Sequence, residues 1–444
     1  MTKIETEKLL AMTVAAQLDE RRSANKYAGS FSPQFHSFGY EGRSGLPSHF
    51  DSTYCYVLGM NVAALVSLGQ NGLISSITDL DKPVSEWQCG GVPITMMCNM
   101  ERRHGKMKPV IKKALVDLNG LPFKTFAQQR KDWSKYDLYR SPGPLQFFKA
   151  DNCTTCELSI TLQLELAKKD PRMSEADLSA AKKAQDNSIE ANLARGFTYC
   201  PFVGPQRRAT SVSQRERMSY KPHLCPSLVS PQVVVGESTQ SKLLADRGQV
   251  AARMPFTYGA QMMGIHSGGA APSQPTRLGV VFLGRQAPGG HDVLAGLFDA
   301  LSPGSTLFGF VGGSKGLIRG NSVKLTADIM DSYRGQGGFE LLGRSVDRLA
   351  GAETLAKIES VCSALKLDGL TIIGGARTVS DFAILAEYLK AKQSRFVVTA
   401  VPVDISGALT SNLCEVSVGF DTASKVAAQV VGNNATDGAS AKKV

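Results

Sequence analysis

The sequence predicts an α/β protein built on doubly wound, mostly parallel sheets with helices on both faces. Three observations predict it. After residue 213, short Val- and Ile-rich runs alternate with longer apolar-periodic stretches, as β–α units do. The short runs are almost continuously apolar, as strands covered on both faces require. Several of them end in Gly-rich turns that open directly into a helical pattern, as in LGVVFLGRQAPGGHDVLAGLFD at 278–299.

The elements follow in order. Residues 5–21 place Leu9, Leu10, Met12, Val14 and Leu18 on one amphipathic helix. The Gly- and Ser-rich stretch GYEGRSGLPSHFD (39–51) reads as a loop, followed by an apolar helix over 54–68 and a strand over 72–77. Residues 110–134 read as helical, and SPGP at 141–144 breaks the chain. The stretch 158–167 fits a strand by its alternation and a helix by its leucines. From 168 to 212 Lys, Asp, Ser, Gln, Ala and Arg dominate and apolar periodicity fades, the mark of a linker.

Beyond it, strand 278–283 leads to helix 290–301, and strand 306–311 to a Gly-rich loop. Helix 352–365 carries Leu355, Ile358, Val361, Cys362 and Leu365 on one face. Strand 369–373 runs into Gly374 and Gly375, then helix 378–392 and strand 396–401 follow. No internal repeat is evident.

At 444 residues the chain has room for two or three domains. Its net charge of +11 concentrates in ERRHGKMKPVIKK (101–113) and QRRATSVSQRER (206–217). A basic balance fits phosphorylated metabolites, nucleic acid and anionic membranes alike. Nucleic acid is disfavoured, because the basic stretches lack interleaved aromatics and any recognition motif. A membrane span is disfavoured too, since no stretch approaches ~20 apolar residues. The nine cysteines are scattered, and the single CxxC, Cys153 and Cys156, has no second pair to complete a zinc site. Such usage, with an acidic and amphipathic N-terminus unlike a leader peptide, predicts a cytoplasmic protein.

Ligands of doubly wound sheets bind beyond the carboxyl ends of the strands, where the Gly-rich turns above all lie. The turn at 284–290 offers backbone N–H groups at a helix N-terminus, a favourable place for a phosphate.

Seven blocks carry a more specific resemblance: TYG (257–259), GRQAPGGHDV (284–293), LFGFVGG (307–313), YRGQGGFELLG (333–343), LDGLTIIGG (367–375), VGFDTASK (418–425) and DGASAKK (437–443). In order and spacing they resemble the amino-terminal half of a long-form pyrophosphate-dependent 6-phosphofructokinase. FGYEGRSGLPSHFD (38–51), CYVLG (55–59), NGLISSITDL (71–80), ERRHGK (101–106), KPVIKKALVDLNGLPF (108–123) and YRSPGPLQF (139–147) resemble that family's carboxyl-terminal portion. The order is inverted. The resemblance implies that residues 1–169 are the tail of a first unit, 170–212 a linker, and 213–444 the donor-phosphate half of a second. A segment of a tandem fusion is the simplest account, because the family's middle section appears nowhere.

The resemblance implies a glycolytic transferase that phosphorylates fructose 6-phosphate with pyrophosphate and Mg²⁺. It implies substrate binding by Tyr40, Glu41, Gly42 and Arg43, with Arg43 pairing to a phosphate and Tyr40 donating its hydroxyl. It implies a phosphate loop of Gly284, Arg285, Gln286, Gly374 and Gly375. Three positions depart from the family. Arg285 stands where active relatives carry the second glycine of Gly-Gly-Gln. The family's metal-ligand position is Ala376, followed by Arg377, which repels a divalent cation. The family's Pro-Lys-Thr-Ile-Asp-Gly-Asp segment is here Pro402-Val403-Asp404-Ile405-Ser406-Gly407-Ala408, so the base position is Ser406 and the second aspartate is Ala408. Asp404, two residues early on a strand end, is displaced by about 6.6 Å.

Arg285 and the Pro-Val start resemble the non-catalytic α-type subunits of the heteromeric plant enzyme. The expectation is a catalytically degenerate second unit with no intact catalytic residue, which as an isolated chain turns nothing over. Neither Mg²⁺ nor pyrophosphate is expected to bind it in the family's manner. Its expected partners are fructose phosphates and either the remainder of a fused polypeptide or a catalytic subunit. The alternative is a non-catalytic regulatory or assembly subunit that binds a phosphorylated sugar effector. His36, His104 and His291 have no motif partner and read as structural or solvated.

Overall fold

In a computed structural model, which describes residues 5–135 (apart from 68, 70, 104 and 134), 217–235, 247–269 and 274–440, one nine-stranded sheet organises most of the chain. Its strands are β1 (Leu73–Thr78), β2 (Gln88–Pro93), β5 (Pro231–Val235), β6 (Met263–Ser267), β7 (Arg277–Leu283), β8 (Thr306–Phe310), β9 (Ser322–Leu325), β10 (Gly369–Gly374) and β11 (Val397–Pro402). They lie in the order β5-β6-β2-β1-β11-β10-β7-β8-β9. The five central strands, β1, β11, β10, β7 and β8, are parallel, and the outer strands on each side add antiparallel. The expected parallel, doubly wound core is present, with flanks that its strand–helix alternation does not announce. β3 (Cys98–Arg103) and β4 (Lys106–Ile111) form a separate hairpin.

The helices are α1 (Thr6–Ser23), α2 (Gly39–Ser44), α3 (His49–Ser67), α4 (Leu121–Trp133), α5 (Pro226–Val229), α6 (Arg247–Arg253), α7 (Gly290–Asp299), α8 (Ser314–Arg319), α9 (Ala327–Asp331), α10 (Ala352–Ala364), α11 (Ala376–Ala391) and α12 (Phe420–Ser440). Successive residues of the central strands feed two cores on opposite faces. Leu278, Val280 and Phe282 of β7 pack on the side of α3 and α7. Val281 and Leu283 pack on the side of α10 and α11, with Leu355, Ile358, Cys362, Phe382 and Leu385. This two-sided burial explains the nearly unbroken apolar runs of β10 and β11, every residue of which is buried.

α3 is apolar almost all round and buries Tyr54, Cys55, Val57, Leu58, Val62 and Leu65, as a helix sunk between sheet and neighbour must. It crosses α7 at backbone contact. A Cβ on Gly59 would lie 2.1 Å from the carbonyl oxygen of Val293, and one on Gly296 would lie 1.9 Å from that of Tyr56. Only glycine at both positions permits this approach.

Residues 1–41 form one compact unit and 42–444 a second. In the first, α1 confirms the expected helix, yet it buries no residue, and Leu9, Leu10 and Met12 stay more than half exposed. Arg22 closes the turn after it, donating to Asp19 and to the carbonyl of Gly29.

Two readings are corrected. The stretch at 39–51 is not a loop: α2 occupies its first half and α3 starts at His49. The helix over 110–134 exists only as α4, because residues 106–111 pair with β3 and 112–117 are irregular. The helical spacing of Leu115, Val116 and Leu118 has nothing to pack on, and all three are exposed. Cys153, Cys156, the 158–167 stretch, the linker and His104 lie outside the described residues.

Candidate functional site

Three turns meet at the carboxyl edge of the parallel strands. Leu283, Gly374 and Pro402 are register partners across β7, β10 and β11, so the segments that follow them leave the sheet side by side. The first turn begins at Gly284, whose φ of +79° favours glycine. Its N–H donates to the Ser345 carbonyl at 2.7 Å, and Arg344 donates Nη1 to its carbonyl at 2.8 Å. Arg285 is exposed, and Gln286 donates to Ser44 Oγ at 2.6 Å. Gly289, at φ +86°, then starts α7.

The second turn interlocks with the first. A Cβ on Gly284 would stand 3.0 Å from Thr378 Oγ1, and one on Gly374 would stand 2.6 Å from the Leu283 carbonyl oxygen. Gly375 precedes α11 in an extended conformation, which puts Ala376 and the exposed Arg377 in the first helical turn. The positive end of α11 therefore looks onto the same edge as Arg285 and Arg344.

The third turn holds the acid. Asp404 is a closed cap. Its Oδ1 accepts from the Ser406 N–H at 3.0 Å, its Oδ2 accepts from the Ala408 N–H at 3.1 Å, and the Ser406 hydroxyl lies 2.9 Å from both oxygens. An aspartate bonding backbone N–H groups two and four residues on is a turn device. Ser406 carries no acid and Ala408 none, so the strand end presents a carboxylate already engaged by its own loop.

Gly42, near the end of α2, lies against this third turn. A Cβ on Gly42 would sit 3.6 Å from Ile405 Cδ1 and 3.3 Å from Ala423 Cβ of α12. Together with the Ser44–Gln286 bond, this seats the start of the second unit between the first and third turns. In the first unit, Tyr40 is 77% exposed and Glu41 meets His36 Nε2 at 2.6 Å. A bond from its own backbone N–H and the His36 ring hold the Glu41 carboxyl below its usual range. His291 is fully buried and accepts the Leu341 N–H at Nε2, a structural role.

The residues present do not fit a divalent cation. Ala376 has no ligand atom, Arg377 is a cation beside it, and Asp404 is committed to its loop. No group of three His, Cys, Asp or Glu side chains among the described residues is arranged to hold a metal. The edge is suited instead to holding an anion, with Arg285, Arg344 and Arg377 exposed on it. Sequence reasoning missed Arg344, Thr378 and Ser44. Arg344 directly follows the YRGQGGFELLG block, and that adjacency was its available signal.

Comparison with known proteins bears on the same segment. Residues 277–444 match the family model described as Phosphofructokinase. Over this segment the chain is similar to the phosphofructokinase family. It is 51% identical over 166 residues to the pyrophosphate–fructose 6-phosphate 1-phosphotransferase subunit beta 1 of Arabidopsis thaliana, covering 37% of this chain and 29% of that protein. It is 41% identical over 251 residues to subunit alpha 1 of the same plant, covering 53% and 41%. The pyrophosphate–fructose 6-phosphate 1-phosphotransferase of Porphyromonas gingivalis matches at 48% over 167 residues, covering 38% and 30%. The chain thus spans between about three tenths and two fifths of the length of these relatives. Among solved structures, phosphofructokinase from Saccharomyces cerevisiae aligns with TM-score 0.30 and 24% identity over 38% of this chain and 22% of that one. No helix of the described residues is long and apolar enough to cross a membrane.

Proposed function

We propose that the chain is a segment of a glycolytic pyrophosphate–fructose 6-phosphate 1-phosphotransferase whose second unit keeps the phosphofructokinase scaffold without its chemistry. In this reading residues 1–169 are the carboxyl-terminal portion of a first unit, 170–212 a linker and 213–444 the donor-phosphate half of a second. The relatives' names supply the reaction pair, pyrophosphate and fructose 6-phosphate. The sugar phosphate is assigned to the Tyr40, Glu41, Gly42 and Arg43 stretch of the intact enzyme, acting with the rest of the fused polypeptide or a catalytic subunit in the cytoplasm.

The observation that carries the loss of chemistry is the closed Asp404 cap. A general base must reach the proton it takes, within about 2.6–3.2 Å, with a lone pair to spare. Ser406 supplies no carboxylate, and the Ser406 N–H, the Ser406 hydroxyl and the Ala408 N–H occupy all but about one of the roughly four lone-pair sites of Asp404 and fix it within its own turn. Arg285 and Ala376 remove the donor cradle and the metal ligand of the same reaction.

A regulatory or assembly role, with a phosphorylated sugar effector as ligand, is favoured by the exposed Arg285 at the first turn. Binding of fructose phosphate that Arg285→Gly abolishes marks that reading out. The test of the main reading is turnover: the purified chain, given fructose 6-phosphate, Mg²⁺ and either pyrophosphate or ATP, is expected to form no fructose 1,6-bisphosphate. Measurable product would falsify it.

A further inference from the structure

A cavity of about 970 Å³ opens between the β3–β4 hairpin and α11. Its volume is at the upper end of the ~300–1,000 Å³ of small-molecule pockets. Met107, Pro109, Val110, Ile111 and Ile384 supply apolar lining, and basic side chains crowd the rest. Two of these are already neutralised: Arg103 pairs with Glu101, and Arg348 forks onto the buried Asp381. Five more, Lys106, Lys108, Lys113, Arg253 and Arg377, are exposed and make no ion pair among the described residues. Among the described residues, no carboxylate and no aromatic ring lines the cavity.

We infer that this cavity binds a small metabolite carrying three or more phosphate groups, without a divalent cation. Five like charges in one concavity repel one another and focus a positive field, which a multiply charged anion relieves. A phosphate monoester carries about −1.5 to −2 at neutral pH, so roughly three of them balance five cations. The arginines offer forked donors and the lysines point charges to such groups. A bridging metal finds no hard, anionic oxygen ligand among the described lining residues. The missing aromatic ring removes the stacking platform that a nucleic acid strand uses.

The walls are preorganised. Ile111 N–H donates to Ser380 Oγ at 3.2 Å, and Ser380 donates to the Ala376 carbonyl at 2.9 Å, which pins the hairpin to the first turns of α11. Ala114 N–H donates to the Ala408 carbonyl at 2.8 Å and ties the exit of β4 to the third turn. This inference does not depend on whether the chain transfers phosphoryl groups.

The experiment is calorimetric titration of the full chain in EDTA with two probes, inositol hexakisphosphate and inorganic tripolyphosphate, which separate a phosphorylated ring from a phosphate chain. At least one is expected to bind, with affinity falling as salt rises. The variant Lys106→Gln/Lys108→Gln/Arg377→Gln, and Arg377→Gln alone as a milder version, are expected to weaken it at least tenfold and about threefold. Lys357→Gln, on α10 outside the cavity, is expected to change nothing. No binding in EDTA, binding only with Mg²⁺, or equal affinity in the triple variant overturns the inference. So does a single-stranded oligonucleotide that binds more tightly than both probes and is lost in the same variant.

Discussion

The hydroxyl of Ser406 donates to the carboxylate of Asp404, 2.9 Å from each oxygen, so the serine serves the neighbouring acid within its own turn. Asp404→Ala strips three donors of their acceptor and is expected to cost about 1–2 kcal/mol in denaturant unfolding. Amide exchange at Ser406 and Ala408 is expected to quicken with it. Unchanged protection at both amides would show that the loop is held by something else. Ser406→Asp instead sets two carboxylates against each other and is expected to lose stability without gaining turnover, since Arg285 and Ala376 remain.

The crossing of α3 and α7 makes a separate prediction. Extra methylenes forced into a packed core cost about 1–3 kcal/mol. Gly59→Ala and Gly296→Ala each drive a methyl into a backbone carbonyl, so each belongs at or above the top of that range. One separation of the helices relieves both clashes, so the double variant is expected to cost less than the sum. Urea midpoints for the four proteins decide it, and strict additivity would contradict a shared crossing.

The pH dependence follows from two buried carboxylates. Desolvation raises the Asp51 carboxyl to about 6 and the Asp292 carboxyl to about 7, against the bonds from Thr422 and Gly419 and from Gly335 that favour their charged forms. Between about pH 4 and these values the folded chain holds protons that the unfolded chain has shed, so stability falls as pH rises and levels off above about 7. Each unit of upward shift is worth about 1.4 kcal/mol. The lowered carboxyls of Glu41 and Glu353 act only below the usual carboxylate range. Melting temperature is therefore expected to be higher at pH 5 than at pH 8, and Asp292→Asn to flatten the upper part of that slope. A profile that rises from pH 5 to 8 would contradict it.

Magnesium provides the fourth test. A ligand that binds only the folded chain raises its melting temperature by mass action. With Ala376 and Arg377, neither of which can ligate a cation, opening α11 after the second turn, millimolar Mg²⁺ is expected to leave the melting temperature unchanged. A rise abolished by EDTA would reveal a cation site that the second turn does not supply.

The parallel core was legible because β7, β10 and β11 are continuous apolar runs punctuated by glycine, a pattern that two-sided burial imposes. The flanking strands were not. β2 and β6 contain Gly90, Gly91 and Gly264, where strands press backbone to backbone: a Cβ on Gly90 would stand 2.4 Å from the Met263 carbonyl oxygen. Glycine reads as a turn signal in sequence and serves close approach in the sheet. At the site, the three turns were legible from their glycines and their strand ends. The state of Asp404 was not, because whether a carboxylate is available or spent depends on two backbone N–H groups that carry no sequence mark. Nor was the partnership of Gly42 with Ile405, which joins residues more than three hundred and fifty apart in the chain.

β1 pairs with β11, Leu73 against Thr399 and Ile74 against Ala400, while α3 lies across α7. The strands on either side of that seam come from opposite ends of the chain. Covalent continuity through 136–216 is therefore not what keeps β1 beside β11. A ladder, a helix crossing and the Asp51 carboxylate, which accepts from the Gly419 and Thr422 N–H groups at the start of α12, hold them. Nicked by a protease within that interval, the protein would run as two bands on a denaturing gel and as one particle on a sizing column, behaving as a split protein whose halves already recognise each other.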